Sequence, residues 1–193
     1  MLVPHYTQMI ETLVSAIPFD NKDPIKIIDL GCGTGYVSMN IKERFPNSSL
    51  TCLDFAENMI VKAKIRLGKY KDVTFILKDI RKFEFDKKYH AVVSSLASHH
   101  LETKKDKIKF YKKIFDALEP GGVFYNSDII LGSNQYLHQL YISKWKEFME
   151  RSLPGNEIED TWMVKHHKED RPEILLDQLS WLKDIGFKEI DVL

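Results

Sequence analysis

The sequence predicts an α/β protein: a doubly wound, mostly parallel sheet with helices on both faces, in one domain of 193 residues. Three observations lead there. Short apolar runs alternate with stretches of helical periodicity, the pattern of βαβ units. The run at 25–30 ends in a turn holding Gly31, Gly33 and Gly35, and a helical pattern through Val37, Ile41 and Phe45 follows. The run Tyr89–Ser95 is apolar almost throughout, as a strand buried on both faces must be.

Taken in order, residues 1–20 place Tyr6, Met9, Ile10, Leu13, Val14 and Ile17 at helical spacing, and Pro18 closes a helix over 5–17. That helix packs on the body, with His5 and Tyr6 near enough to its start to reach over a pocket. The glycine turn comes next. Glycine tolerates the backbone angles of such a turn and leaves no Cβ between backbone N–H groups and a ligand. The helix behind it adds unpaired N–H donors and a partial positive charge, so the parts describe a nucleotide-type pocket.

A second strand, 49–53, ends in Asp54, where a carboxylate can accept hydrogen bonds from ribose hydroxyls or cap a helix starting near Ala56. That helix turns Met59, Ile60, Ala63 and Leu67 inward and stops at Gly68. The third strand, Val73–Leu77, is followed by Asp79 and Ile80. After the fourth strand, Thr103 caps a helix with Asp106 in capping-box position, and its many lysines read as a solvated side. Glu119-Pro120-Gly121-Gly122 turns the chain into strand five, expected over 123–131.

Residues 132–171 break the alternation. Two amphipathic stretches, 135–151 and 157–168, carry Trp145, Met149, Trp162, His166 and His167. An insertion this long is more than a connector, and it is expected to form a helical lid over a substrate. Asp170 and Pro172 are expected to start the last helix, which Gly186 stops, and 187–193 to begin strand six.

The composition narrows the function classes. Twenty-eight basic and 28 acidic residues cancel, which argues against electrostatic capture of nucleic acid or an anionic membrane. The two cysteines, Cys32 and Cys52, make no disulfide framework and read as reduced thiols of a cytoplasmic protein. No apolar segment suits a signal peptide or membrane span.

The glycine string separates two kinds of ligand. Dinucleotide folds read G-x-G-x-x-G, whereas here the third glycine comes one residue early and Asp29 stands where it would repel a pyrophosphate. The string D-x-G-x-G-x-G from Asp29 resembles the first motif of class I S-adenosylmethionine (SAM)-dependent methyltransferases. LDFAENMI, Asp79-Ile80, SSLASHHL and LEPGGVF resemble later landmarks of that family in the same order, over about 25–131. The likeness is to its small-molecule branch of ubiquinone-biosynthesis and trans-aconitate type.

The resemblance implies a Rossmann-like sheet, SAM as cofactor and methyl transfer to a small-molecule acceptor. It puts Asp29, Gly31, Cys32, Gly33 and Gly35 around the amino acid part of SAM. Asp54 takes the ribose, Phe55 and Met59 lie close by, Asp79 and Ile80 meet the adenine, and Ser95 and Leu96 line the fourth motif. His100 and His167 are the expected catalytic groups. Tyr6, His99, Trp145, Met149, Trp162 and His166 are the expected substrate contacts. Neighbouring histidines on a helix or strand point apart, so a metal would need one His from each pair plus a carboxylate, and none is assigned. No nucleic acid or membrane partner is expected, and the chain is read as a monomer or homodimer. A silent SAM-binding protein and an aminopropyltransferase are the alternative readings. The family's seventh strand is absent, so a shortened chain is expected, its last edge loose or paired across a symmetry axis.

Overall fold

The computed structural model describes residues 2–193. The five strands are β1 (Lys26–Leu30), β2 (Ser49–Asp54), β3 (Val73–Leu77), β4 (Tyr89–Ser95) and β5 (Leu118–Ser127). They form one sheet of order β3-β2-β1-β4-β5, and every neighbouring pair is parallel. The chain starts in the middle, winds outward to β3, then crosses back to β4. That reversal beside β1 opens a crevice at the carboxyl ends of β1 and β4.

Side-chain alternation along each strand builds two cores. In β1, Ile27 faces one layer while Ile28 and Leu30 face the other. On the first face lie α1 (Tyr6–Ser15), α2 (Tyr36–Arg44) and α3 (Glu57–Leu67), burying Ile10, Leu13, Ile41 and Ala63. On the second lie α4 (Lys104–Ala117) and, after the insertion, α8 (Leu175–Ile185), burying Phe110, Tyr111, Ile114 and Trp181. A register shift between Tyr89 and Ala91 breaks the alternation of β4. It lets Tyr89 join the second core although Ala91 and Val93 join the first.

The insertion between β5 and α8 contains α5 (Gln135–Met149), α6 (Gly155–Glu157), a π-helical stretch Ile158–Met163 and α7 (Val164–Glu169). Its two ends are clasped by a parallel bridge of Leu131 with Ile174 and the bond from Leu131 N to Glu173 O, 3.1 Å. It carries a small core of its own, Met149, Ile158 and Met163. The Trp145 indole N–H donates to the Leu2 carbonyl at 2.8 Å, tying the insertion to the start of the chain.

Three expected boundaries move. Strand five begins and ends earlier, at Leu118 and Ser127, which leaves Asp128 just past a strand end rather than inside a strand. Asp170 does not start the last helix: it follows α7, and α8 starts at Leu175. Strand six does not form among the described residues. The amides of Gly186 and Phe187 both donate to Leu182 O at 3.2 Å, closing α8 and directing Phe187 onto Phe115 and Phe124. Beyond it Lys188, Glu189, Asp191, Val192 and Leu193 are all exposed, so no buried face holds an alternating strand in place.

Candidate functional site

The glycine turn sits at the carboxyl end of β1 with Gly31, Gly33 and Gly35 all at positive φ, 80°, 52° and 77°. At Gly31 a Cβ would overlap the Ala97 side chain, so the turn and the loop after β4 touch there. Gly31 and Cys32 both donate to Leu53 O, at 2.8 and 2.9 Å, which ties the turn to β2. At the end of β2, Asp54 accepts from Gly33 N at 2.8 Å and from Ala56 N at 2.9 Å. Its carboxylate therefore bridges the turn and the start of α3. Each carboxylate oxygen has capacity left for another donor.

Asp29 lies wholly buried beneath α2. Ser38 Oγ donates to its Oδ2 at 2.6 Å, and its Oδ1 has no hydrogen-bond partner among the described residues. Burial, reinforced by the nearby charge of Asp54 and opposed by Ser38, pushes its carboxyl up to about 7. Tyr6 lies in this region: its ring packs on Tyr36 at 5.6 Å, and burial followed by the charge of Asp29 raises its hydroxyl. The buried thiols of Cys32 and Cys52 are free. The Cys52 hydrogen bond and burial push the Cys32 thiol up, toward an inert protonated form.

The remaining expected contacts vary. Phe55 is 72% exposed at the rim, and Met59 is half-buried on α3. Asp79 is gripped by Arg81, whose Nε and Nη2 donate to its Oδ2 at 2.8 and 2.6 Å, and that hydrogen bonding lowers its carboxyl. Ile80 packs under the second core. The Ser95 hydroxyl is buried without a partner among the described residues, and Leu96 follows at φ 52° with its N–H on Ser127 O. Trp162 Nε1 is another buried group with no partner among them. Met149 is a correction: it is fully buried in the insertion's own core and packs there instead of facing a substrate.

Beside the turn, histidines from two distant segments converge. His99 is buried, and its Nδ1 is hydrogen-bonded to Asp128 Oδ1. The other oxygen of Asp128 accepts from Ser98 Oγ at 2.5 Å and from His99 N at 3.0 Å. The far side of the ring, Nε2, lies 3.5 Å from Asp170 Oδ1, as does His100 Nδ1. His166 Nδ1 meets Asp170 Oδ2 at 2.8 Å, with its ring against Trp145. Burial and then the charge of His99 lower His100, favouring a neutral imidazole. Burial works to raise Asp170, but the His166 hydrogen bond and the charges of His99, His166 and His100 hold it below the usual range.

So His99, His100 and His166 meet, while His167 turns away, 2.6 Å from Met163 O. It lines a different cavity of about 540 Å³ with His138, Lys146 and Glu150. That cavity, and a smaller one near Phe85 and Lys113, lie apart from the glycine turn, so cavity volume is not the guide to this site. The expectation that neighbouring histidines diverge fails too. His99 and His100 sit on a single 3₁₀ turn, Ser98–His100, and their ring centroids are 4.1 Å apart.

Three residues escaped sequence reasoning. The sequence pattern puts Asp128 inside an overlong strand and Asp170 at a helix start. Lys107 was read as solvated, yet it is 2% exposed and donates to Ser98 O at 3.0 Å, pinning the histidine loop. Only an acid closely following a strand run could have pointed to Asp128.

The sheet order, the glycine turn at its switch point and the strand-end acid define a doubly wound α/β protein with its ligand crevice above β1 and β4. Comparison carries this further. The family described as "Methyltransferase domain" matches residues 27–122. This chain is 33% identical over 104 residues to malonyl-[acyl-carrier protein] O-methyltransferase 2 of Ilyobacter polytropus, covering 54% of this chain and 39% of that protein. It is 26% identical to carboxy-S-adenosyl-L-methionine synthase of Nautilia profundicola over 98% of this chain and 81% of that one. A crystal structure described as a putative methyltransferase from Bacillus halodurans superposes with TM-score 0.68 at 19% identity, over 93% of this chain and 68% of that one. Residues 27–122 thus carry a methyltransferase domain, in keeping with the class I SAM-dependent family that the motifs resemble. It spans about two fifths of the Ilyobacter relative. No helix among the described residues is long and apolar enough to cross a membrane.

Proposed function

We propose that this chain transfers a methyl group from SAM to a small acidic acceptor held between the glycine turn, the histidine loop and the helical insertion. The observation that carries this reading is the buried Asp29 Oδ1 without a partner, next to an Asp54 carboxylate braced on Gly33 N. An unpaired buried carboxylate oxygen calls for a cationic donor, and the amino acid end of SAM has one. The residues present therefore fit SAM. Asp54 would hold the ribose, Asp79 and Ile80 the adenine, and Gly31, Cys32, Gly33 and Gly35 would give the backbone a close approach. Phe55, Met59, Ser95 and Leu96 would complete the wall.

Bound SAM supplies a methyl group already activated by its sulfonium. The chain's task is then to align the acceptor, exclude water and take a proton where the acceptor carries one. Tyr6, Trp145, Trp162 and the insertion would act as the cover. Neutral His100, beside Asp170, would accept the proton, with His99 and His166 positioning the acceptor. His167 fits this role poorly, because its ring lines the other cavity, with His138 and Lys146, apart from the glycine turn. An acidic acceptor is suggested by the relative's name, which specifies a malonyl group.

Turnover of SAM to S-adenosylhomocysteine with a pool of small carboxylic acids tests the proposal, and its absence with every acid tried would refute it. A second reading follows from the match to a carboxy-SAM synthase over 98% of this chain, insertion included. Mass spectrometry separates the two, since that activity leaves a carboxylated SAM in place of S-adenosylhomocysteine.

A further inference from the structure

The structure assigns His99, His100 and Asp170 to a binding site for one divalent transition-metal ion of the zinc or iron(II) kind. The donors are His99 Nε2, His100 Nδ1 and Asp170 Oδ1, and all lie within 4.8 Å of one another. Each nitrogen is 3.5 Å from the carboxylate oxygen. Metal bonds of about 2.0–2.1 Å in a tetrahedral site put neighbouring ligands roughly 3.3 Å apart, so the two nitrogen–oxygen pairs nearly match, and the ring nitrogens, within 4.8 Å of each other, close by turning toward the ion. Two imidazoles and one carboxylate suit zinc with an open position or non-haem iron(II).

The surroundings are those a metal site needs. Asp128 takes the Nδ1 side of His99, which leaves the Nε2 lone pair facing Asp170. His166 occupies Oδ2 of Asp170 and leaves Oδ1 toward the ring nitrogens. Partners that orient ligands in this way are the usual outer shell of a histidine–carboxylate metal centre. The backbone is braced as well: Arg171 N donates to His99 O at 2.8 Å, and buried Lys107 holds Ser98 O. Two carboxylates, Asp128 and Asp170, have side chains only 5% and 16% exposed, a buried negative charge that a dication offsets.

The site is open on one side. His100 is 44% exposed there, so an oxygen-bearing molecule can reach the ion. Because Ala97 touches Gly31, such a molecule would sit beside the glycine turn. Its being the methyl acceptor rests on the proposed transfer reaction; metal binding itself does not, and with the ion bound His100 serves as a ligand in place of the proton acceptor.

The experiment uses the full chain without a histidine tag, stripped with chelator and reloaded with zinc(II), or with cobalt(II) as an optical probe. About one equivalent of zinc should survive gel filtration, and cobalt should give visible absorption from an N/O site. His100→Asn, at an exposed position where folding is safe, and Asp170→Asn should each abolish retention. Asp128→Asn should weaken it by about tenfold or more and shift the cobalt spectrum. Wild-type protein that retains no zinc, or a His100→Asn variant that retains as much as wild type, would overturn the assignment and leave the cluster as a set of polar contacts without an ion. Zinc retained without any SAM turnover would count against the transfer reading alone.

Discussion

Asp29 gives the sharpest test, because its burial fixes both the sign and the size of an effect. Its carboxyl is held at about 7 in the folded chain, against about 3.9 in an unfolded one. A carboxyl raised on folding binds its proton more tightly in the native state. Its stabilising contribution is therefore complete below about pH 4 and is lost as pH climbs through about 7. The interval of about three pH units corresponds to roughly 4 kcal/mol. Asp29→Asn keeps the shape and the Ser38 neighbour but cannot ionise. Urea unfolding of both proteins at about pH 5 and about pH 8 then isolates the term, since distant groups cancel in the difference. The variant should gain on the wild type as pH rises, by up to roughly 3 kcal/mol over that window. SAM should also stabilise the wild type more at the higher pH, when an ionised Asp29 can pair with its ammonium group. Parallel stability profiles, with a difference that moves by less than about 1 kcal/mol, would refute the account of a buried, partnerless carboxyl.

Two further outcomes follow from the same region. Asp54→Ala removes the acceptor for Gly33 N and Ala56 N together with the proposed ribose anchor, so SAM affinity measured by calorimetry should fall by about 2 kcal/mol or more. Unchanged affinity with an intact fold would reduce Asp54 to a brace. Gly31→Ala combines a φ of 80° with overlap on Ala97, and thermal unfolding should show a loss of roughly 2–5 kcal/mol. A variant as stable as the parent would mean that the loop after β4 yields freely.

How far the sequence reached depended on whether a feature was local. The strand–glycine turn–helix at 25–45 was legible because apolar period, glycine spacing and the strand-end acid all lie within one short segment. The capping of α4 was equally legible, and Thr103 Oγ1 does accept from Asp106 N at 3.1 Å. Strand six was misread because alternation at 187–192 indicates a strand only where a neighbour and a buried face exist. Lys107 was misread because period alone does not show that one lysine of a charged helix points inward to a carbonyl.

The chain's own residues determined the parallel sheet, its glycine turn and the carboxylate at the end of β2, through propensities and spacings that act over a few residues. Tertiary structure alone decided that Asp128, His99, Asp170 and His166 form one cluster of hydrogen bonds and close charge contacts, and that Asp29 is buried beneath α2 with an oxygen unpaired. Those groups come from the turn after β4, the end of β5 and the exit of the insertion. They meet because the crossover to β4 and the Leu131–Ile174 clasp carry distant segments to the same edge of the sheet. No spacing in the sequence encodes such a meeting, since it depends on how the layers pack.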